Sequence, residues 1–229
     1  MVKQKLTLYQ HPLCPYAQRA LMAAEITKQE IEKVFIDVTI PREEWYLKIN
    51  PYGQVPALKI EGDDFVILES PIVAQYIAEL NPESNLLPTD PKQQAESSYI
   101  VYHYVNRLQP AHGKLTFTLD KSQRETNSIE YLKQLDIFNG WLEKATRKRP
   151  GPFIHGEHFT LADLNLAPFV VYHFLTDIYQ EGYKSPTIDT HPHLKRYFEW
   201  NDAVVAHPAV VAITASKEVL VESLRKYIK

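Results

Sequence analysis

The residue best equipped to act as a nucleophile is Cys14, the single cysteine of a 229-residue chain. It follows a short apolar run at 6–9 and a loop, and precedes Pro15 and a helical pattern of Ala17, Ala20, Leu21 and Ala24. Proline is favoured at the first position of a helix, so the thiol is expected at a helix N-terminus. Unpaired N–H groups and the positive end of the helix dipole favour thiolate over thiol there. A fall in pKa from about 8.5 to about 6.5 would raise the thiolate fraction at pH 7 from roughly 3% to roughly 75%. The alternative is a small buried apolar cysteine. One thiol closes no internal disulfide and has no resolving partner, so any redox cycle must be monothiol and use an external thiol.

The elements that position Cys14 are legible in two halves of different texture. Runs at 6–9 and 33–38 flank the helix that follows Cys14, which makes a βαβ unit with a parallel strand pair. A short helical piece at 42–49 follows, then two runs, NPYGQVPALKI and FVIL, that read as a hairpin around 61–64. Ile72, Val73, Tyr76, Ile77 and Leu80 continue at helical spacing behind Ser70 as N-cap and Pro71 as first helical residue. The expected order is βαβ-α-ββα, a domain over 1–82. Proline, asparagine and aspartate then cluster in a linker at 83–91. From 92 to 229 the pattern is helical, with stretches at 92–119, 125–147, 160–178, 192–206 and 216–227. Thr160 and Asp163 form a capping box, and Phe159 and Leu164 occupy the positions of a hydrophobic staple.

Composition excludes several classes of function. Hydrophobic residues are 45% and charged residues 23% of the chain, as in ordinary globular proteins. The net charge of −3 carries no basic excess of the kind that marks nucleic-acid or membrane surfaces. The run Arg147, Lys148, Arg149 reads as a solvated helix C-terminus. No G-x-G pair, phosphate loop or G-x-S-x-G elbow occurs. The nine histidines are scattered, so no metal site is expected. With no apolar run in 1–12, no glycosylation sequon and one thiol, a reducing, cytoplasmic compartment is expected.

Four segments in order, CPYAQRA at 14–20, NPYGQVPAL at 50–58, LESPIVAQYI at 68–77 and GEHFTLAD at 156–163, resemble the cytosolic glutathione transferase family over essentially the full chain. The resemblance implies a thioredoxin-like N-terminal domain, an all-α C-terminal domain and glutathione as co-substrate, with no permanently bound cofactor. It implies a cis Val55–Pro56 bond, with the Val55 backbone binding the cysteinyl part of glutathione. Glu69 and Ser70 are implied to hold its γ-glutamyl end. The physical logic is plain: that end carries an ammonium and a carboxylate on one carbon, and a carboxylate beside a helix N-terminus complements both.

Cys14 followed by Pro15 and Tyr16 is similar to the cysteine-type, omega-like members. That similarity implies a thioltransferase that forms a mixed disulfide with glutathione, reduces glutathionyl adducts, disulfides or dehydroascorbate, and conjugates small electrophiles only weakly. Tyr16 is then a further glutathione-binding residue. Omega members commonly place a lysine where this chain has Ile40, which leaves Arg42 or Lys48 to meet the glycyl carboxylate. Tyr9 is a rival hydroxyl at the end of the first strand, although its alternation reads as packing. Tyr52 matches an aromatic used in dimers, so a homodimer is expected, with neither nucleic acid nor membrane as partner. Tyr99, Tyr102, His103 and Asn106 share one helix face, which either packs as core between the domains or, through Tyr102, His103 and Asn106, lines the electrophile pocket. The competing reading is a non-catalytic glutathione-binding or protein-interaction module on the same fold.

Overall fold

A computed structural model describes residues 5–228. The alternating run after Lys5 forms β1 (Leu6–Gln10), Pro15 opens α1 (Pro15–Thr27), and β2 (Glu32–Phe35) returns parallel to β1 with Thr7 opposite Glu32. Next come α2 (Glu44–Ile49), β3 (Ala57–Ile60), β4 (Val66–Ile67) and α3 (Ser70–Glu79). The sheet order is β2-β1-β3-β4, with β3 antiparallel to both of its neighbours. This is the expected βαβ-α-ββα order.

Small side chains make α1 the centre of the molecule. Ala17, Ala20, Met22 and Ala23 are fully buried, and alanine at this density lets neighbouring elements approach closely without loss of helix propensity. The helix ends at Lys28, a C-cap in the left-handed region whose N–H bonds the Ala24 carbonyl.

The second half is helical: α4 (Pro91–His103), α5 (Gln109–Phe117), α6 (Arg124–Lys148), α7 (Leu161–Val170), α8 (Leu175–Tyr179), α9 (Lys195–Ala206), α10 (Pro208–Ile213) and α11 (Lys217–Leu224). A π-helical turn at Tyr104–Leu108 joins α4 to α5. Pro110 offers no N–H and crowds the preceding turn, and one widened turn accommodates it. The expected helix at 160–178 breaks in two, because Pro168 sits inside α7 and the chain passes through tight turns at 171–174 before α8. α10 is an addition: Pro208 starts a new helix capped by His207, whose Nδ1 accepts from the Ala209 N–H at 3.3 Å.

Asp163 is the polar centre of the helical half and is fully buried. One oxygen accepts from the N–H of Ile154 and the indole of Trp200, at 3.0 and 2.8 Å; the other accepts from the N–H and hydroxyl of Thr160, at 3.0 and 3.1 Å. The capping box therefore also fixes α9 through Trp200. Phe159 stacks face to face on His207 at 3.9 Å, while Leu164 is buried in the core. Arg149 of the basic run hydrogen-bonds Glu96 on α4, so the end of α6 is tied down rather than simply solvated. One apolar cluster runs from Leu6 and Leu58 of the sheet to Phe138, Leu164 and Trp200. The two halves consequently share a core. Among the described residues no helix is long and apolar enough to cross a membrane.

Candidate functional site

Cys14 is the N-cap of α1, in extended backbone conformation, and is half-buried. The loop before it is ordered locally: the Cys14 N–H donates to the His11 carbonyl at 3.0 Å, the Leu13 N–H donates to His11 Nδ1 at 3.2 Å, and Gln18 Nε2 donates to the Pro12 carbonyl at 2.9 Å. The sulfur lies 3.9 Å from the Val55 carbonyl oxygen. Tyr9, Ala17, Ile36, Tyr46 and Val55 form the small apolar cluster on which it rests.

The Val55–Pro56 peptide bond is cis. Its loop is held by two donors to the Gln54 carbonyl, the Tyr46 hydroxyl at 2.5 Å and Asn50 Nδ2 at 2.8 Å. At the start of α3 the cap differs from expectation. Glu69 occupies the N-cap position with φ +66 and ψ 116, and Ser70 is already helical and buried. That conformation is rare for a residue with a Cβ and costs about 1–3 kcal/mol. Replacement of Glu69 by glycine, which tolerates positive φ, should therefore melt at a higher temperature than replacement by alanine. Equal melting temperatures would contradict a strained cap.

Arg42 is bound up with backbone. Its Nε donates to the Gly53 carbonyl at 2.8 Å, Nη1 to the carbonyls of Asp37 (2.7 Å) and Ile40, and Nη2 to that of Val38 at 3.1 Å. Gly53 permits this with φ +62, since a Cβ there would meet Arg42 Cγ at 2.8 Å. Arg42 thus braces two loops, and its charge sits at the cavity wall with four of its five N–H donors engaged by carbonyls. Ile40 and Lys48 are exposed.

Two cavities meet at Cys14. One of about 670 Å³ is lined by Cys14, Tyr16, Arg42, Val55, Pro56, Glu69 and Ser70, so the residues read as glutathione-binding share one space. The other, about 520 Å³, is lined by Cys14, Tyr16, His112, Phe117, Phe169 and Tyr172, with Gln109 and the tail residues Leu224 and Lys226. Tyr16 and Tyr227 border both. The residues expected at an electrophile pocket, Tyr102, His103 and Asn106, border neither of these cavities. Tyr102, 66% exposed, and Asn106 line a separate cavity between α3, α4 and α7. His103 and Tyr99 pack on Trp141, at 4.2 and 4.8 Å between ring centres. Spacing of three and four showed which residues share a face, but not which neighbour that face meets. Beyond the Cys14 loop, the start of α1 and residues 38–39, the lining of the apolar cavity comes from α5, α7, the turn after it and the tail, and the sequence signal for those residues is the aromatic character of Phe117, Phe169, Tyr172 and Tyr227. Tyr9 lies outside both cavities, buried against Tyr46 at 5.6 Å and Trp45 at 6.1 Å.

The electrostatics of Cys14 also depart from expectation. Burial pushes its thiol above the ordinary value, and the amides of Ala17 and Tyr16 and the Arg19 guanidinium pull in the opposite direction without cancelling it. The helix-end argument omits this desolvation. Since only the thiolate is alkylated, iodoacetamide trapping of the ligand-free protein should rise about tenfold per pH unit through neutrality. Its midpoint should lie above that of a free cysteine. A plateau already reached at pH 7 would show that the amides and dipole outweigh burial.

The family model described as glutathione S-transferase, N-terminal domain matches residues 4–79, and the one described as glutathione S-transferase, C-terminal domain matches residues 93–200. The chain is 30% identical over 209 residues to the probable glutathione S-transferase DHAR1, cytosolic, of Oryza sativa subsp. japonica, covering 91% of this chain and 87% of that protein. It is 24% identical to the probable glutathione transferase omega-2 of Caenorhabditis elegans, covering 97% and 86%. Glutathione transferase Omega 3C of Trametes versicolor superposes with a TM-score of 0.79 at 25% identity, covering 98% of this chain and 90% of that one.

Proposed function

Because the chain belongs to the glutathione transferase family, we propose that it acts through Cys14 as a monothiol, glutathione-dependent thioltransferase. The observation that carries this reading is the position of the Cys14 sulfur, at the meeting point of the two cavities and 3.9 Å from the Val55 carbonyl. A hydroxyl in that place could only hydrogen-bond the sulfur of glutathione, whereas a thiolate can form a bond to it.

The Cys14 thiolate attacks the glutathionyl sulfur of a mixed disulfide. The Cys14–glutathione S–S bond forms, the original S–S bond breaks, and the substrate leaves as its thiolate and takes up a proton. A second glutathione thiolate then attacks the glutathionyl sulfur on Cys14, releasing oxidised glutathione and the Cys14 thiolate. The cycle on a glutathionyl mixed disulfide consumes one free glutathione thiol, whereas net reduction of a disulfide without a glutathionyl group, or of dehydroascorbate, consumes two and yields one oxidised glutathione. Tyr16, the Val55 backbone, Pro56, Glu69 and Ser70 hold the tripeptide. Glu69 meets the ammonium and Ser70 the α-carboxylate of its γ-glutamyl end. Loss of the Glu69 carboxylate removes a charge-assisted hydrogen bond, so both the glycine and alanine variants should bind glutathione about tenfold or more weakly by calorimetry.

The second substrate enters the apolar cavity beside Phe117, Phe169 and Tyr172. The cytosolic name of the rice relative supports a cytoplasmic site of action. A homodimer is the proposed assembly, with Tyr52, 80% exposed, available for its interface. The function is tested by incubating the protein with oxidised glutathione and measuring intact mass. One glutathionyl unit, absent from Cys14→Ala, is expected. No adduct would favour a non-catalytic binding module instead.

A further inference from the structure

Arg19 lies on α1 beyond Cys14 and is 1% exposed. Its Nε donates to the Asn165 carbonyl at 2.8 Å and its Nη1 to Ser70 Oγ at 3.0 Å. Nη2 is buried and has no hydrogen-bond partner among the described residues. The guanidinium packs 4.8 Å from the centre of the Phe169 ring and 5.7 Å from that of Tyr16. Its electrostatic neighbours are Tyr16, Tyr104 and Cys14, none of them a carboxylate. Desolvation lowers its pKa to about 10, so it keeps its proton at pH 7.

A guanidinium taken out of water without an anion is unfavourable, and folds rarely retain one. It is also the arrangement in which an anion formed nearby gains most, because little solvent screens the pair. Of the three, Cys14 is the thiol, the class of group that forms an anion in the chemistry proposed above. The bond to Ser70 adds a second effect. A serine hydroxyl has one proton and two lone pairs. With Arg19 donating into a lone pair, the proton is left to point toward an anion in the cavity that Ser70 lines.

We infer that Arg19 is a positioning residue for the thiol chemistry: from behind the site it stabilises the Cys14 thiolate and fixes the Ser70 hydroxyl as a donor to the glutathione α-carboxylate. The inference rests on the roles given above to Cys14 and Ser70. Other ionisable groups also face Cys14. Tyr46 and Tyr172 couple to it electrostatically. His11, His112 and Lys226 border the apolar cavity, Arg42 and Glu69 border the polar one, and Tyr16 and Tyr227 border both. All of these stay in place when only Arg19 is changed, so a difference between profiles reports Arg19.

The test uses iodoacetamide alkylation of ligand-free protein across pH, which needs neither glutathione nor turnover, together with glutathione kinetics. Arg19→Gln should alkylate at least about fivefold more slowly at pH 7, with its profile displaced to higher pH. Arg19→Lys keeps a charge but lacks the fork, so alkylation should stay within about twofold of the parent while the glutathione KM rises about fivefold or more and kcat changes less. Ser70→Ala leaves the charge in place and should raise KM with the alkylation profile unmoved; with Arg19→Lys it decides the matter if Arg19→Gln fails to fold by circular dichroism. Parent-like alkylation by Arg19→Gln, a parent-like KM in Arg19→Lys, or a displaced profile in Ser70→Ala would overturn the inference. A parent protein that forms no adduct with oxidised glutathione fails the functional reading, while alkylation still judges Arg19. A parent that forms the adduct beside unresponsive Arg19 variants fails the inference alone.

Discussion

Replacing Cys14 with serine should reduce turnover of glutathionylated peptides and dehydroascorbate by at least about a thousandfold, because the step that forms the enzyme–glutathione bond has lost its nucleophile. A serine hydroxyl at the N-terminus of α1 retains one capability. It can donate a hydrogen bond to the glutathione thiolate and so favour attack on carbon electrophiles. Conjugation of an aryl halide should accordingly persist or increase in the same variant. The opposite movement of the two activities separates loss of the nucleophile from loss of the fold, which would depress both. Reductase activity kept within about tenfold of the parent would remove Cys14 from the mechanism.

The largest expected effect on stability lies far from the thiol, at Asp163. Its two oxygens accept four hydrogen bonds from Ile154, Thr160 and Trp200. Truncation to alanine leaves those buried donors without an acceptor, at about 1–3 kcal/mol for each that finds no water. These losses are not additive, and a total of about 4 kcal/mol is expected, which for a chain of this length lowers Tm by roughly 8–16 °C. Asn at 163 keeps the shape and one acceptor oxygen, and should lose about half as much. Urea denaturation checks both values. A loss under about 1 kcal/mol for Asp163→Ala would mean that the donors find other partners and that the cap and Trp200 are not held through this carboxylate.

The N-terminal half was readable in its sequence because each local signal agreed with the next. The alternating run at 6–9, the proline after Cys14 and the alanines of α1 specify a strand, a helix start and a buried helix. Strand and helix starts place Cys14 and Ser70 at element ends, the resemblance to glutathione transferases adds Val55, and all three line one cavity. What stayed hidden depends on surroundings that sequence spacing does not encode. Arg19 sits in a stretch where an arginine would ordinarily face water, and only the packing of α3 and α7 on α1 shows it buried. Glu69 gives no sign that its backbone must take positive φ. Tyr102 and Asn106 share a face as their spacing requires, yet that face looks onto α3 and α7 rather than onto Cys14. Tyr227 reaches the cleft only because α11 is anchored by Leu220 in the core and by the Tyr179 hydroxyl bonded to the Val221 carbonyl.

The shift at Cys14 has the same origin. A helix N-terminus favours the thiolate, and desolvation opposes it; only the fold reveals that the second is larger in the ligand-free protein. A thiol of raised pKa is not thereby inert. Its thiolate is the better nucleophile once formed, since nucleophilicity rises with basicity. The consequence is a reaction that accelerates as pH rises above neutrality, with the Arg19 charge setting how far above.

In the proposed mechanism the glutathionyl group passes through Cys14. A single-turnover reaction with a glutathionylated peptide, acid-quenched over milliseconds to seconds and mapped by peptide mass spectrometry, follows that group directly. It should appear on the peptide containing Cys14 before oxidised glutathione appears, and accumulate there when free glutathione is withheld. Oxidised glutathione formed at the full rate with no modified Cys14 at any time would contradict this mechanism.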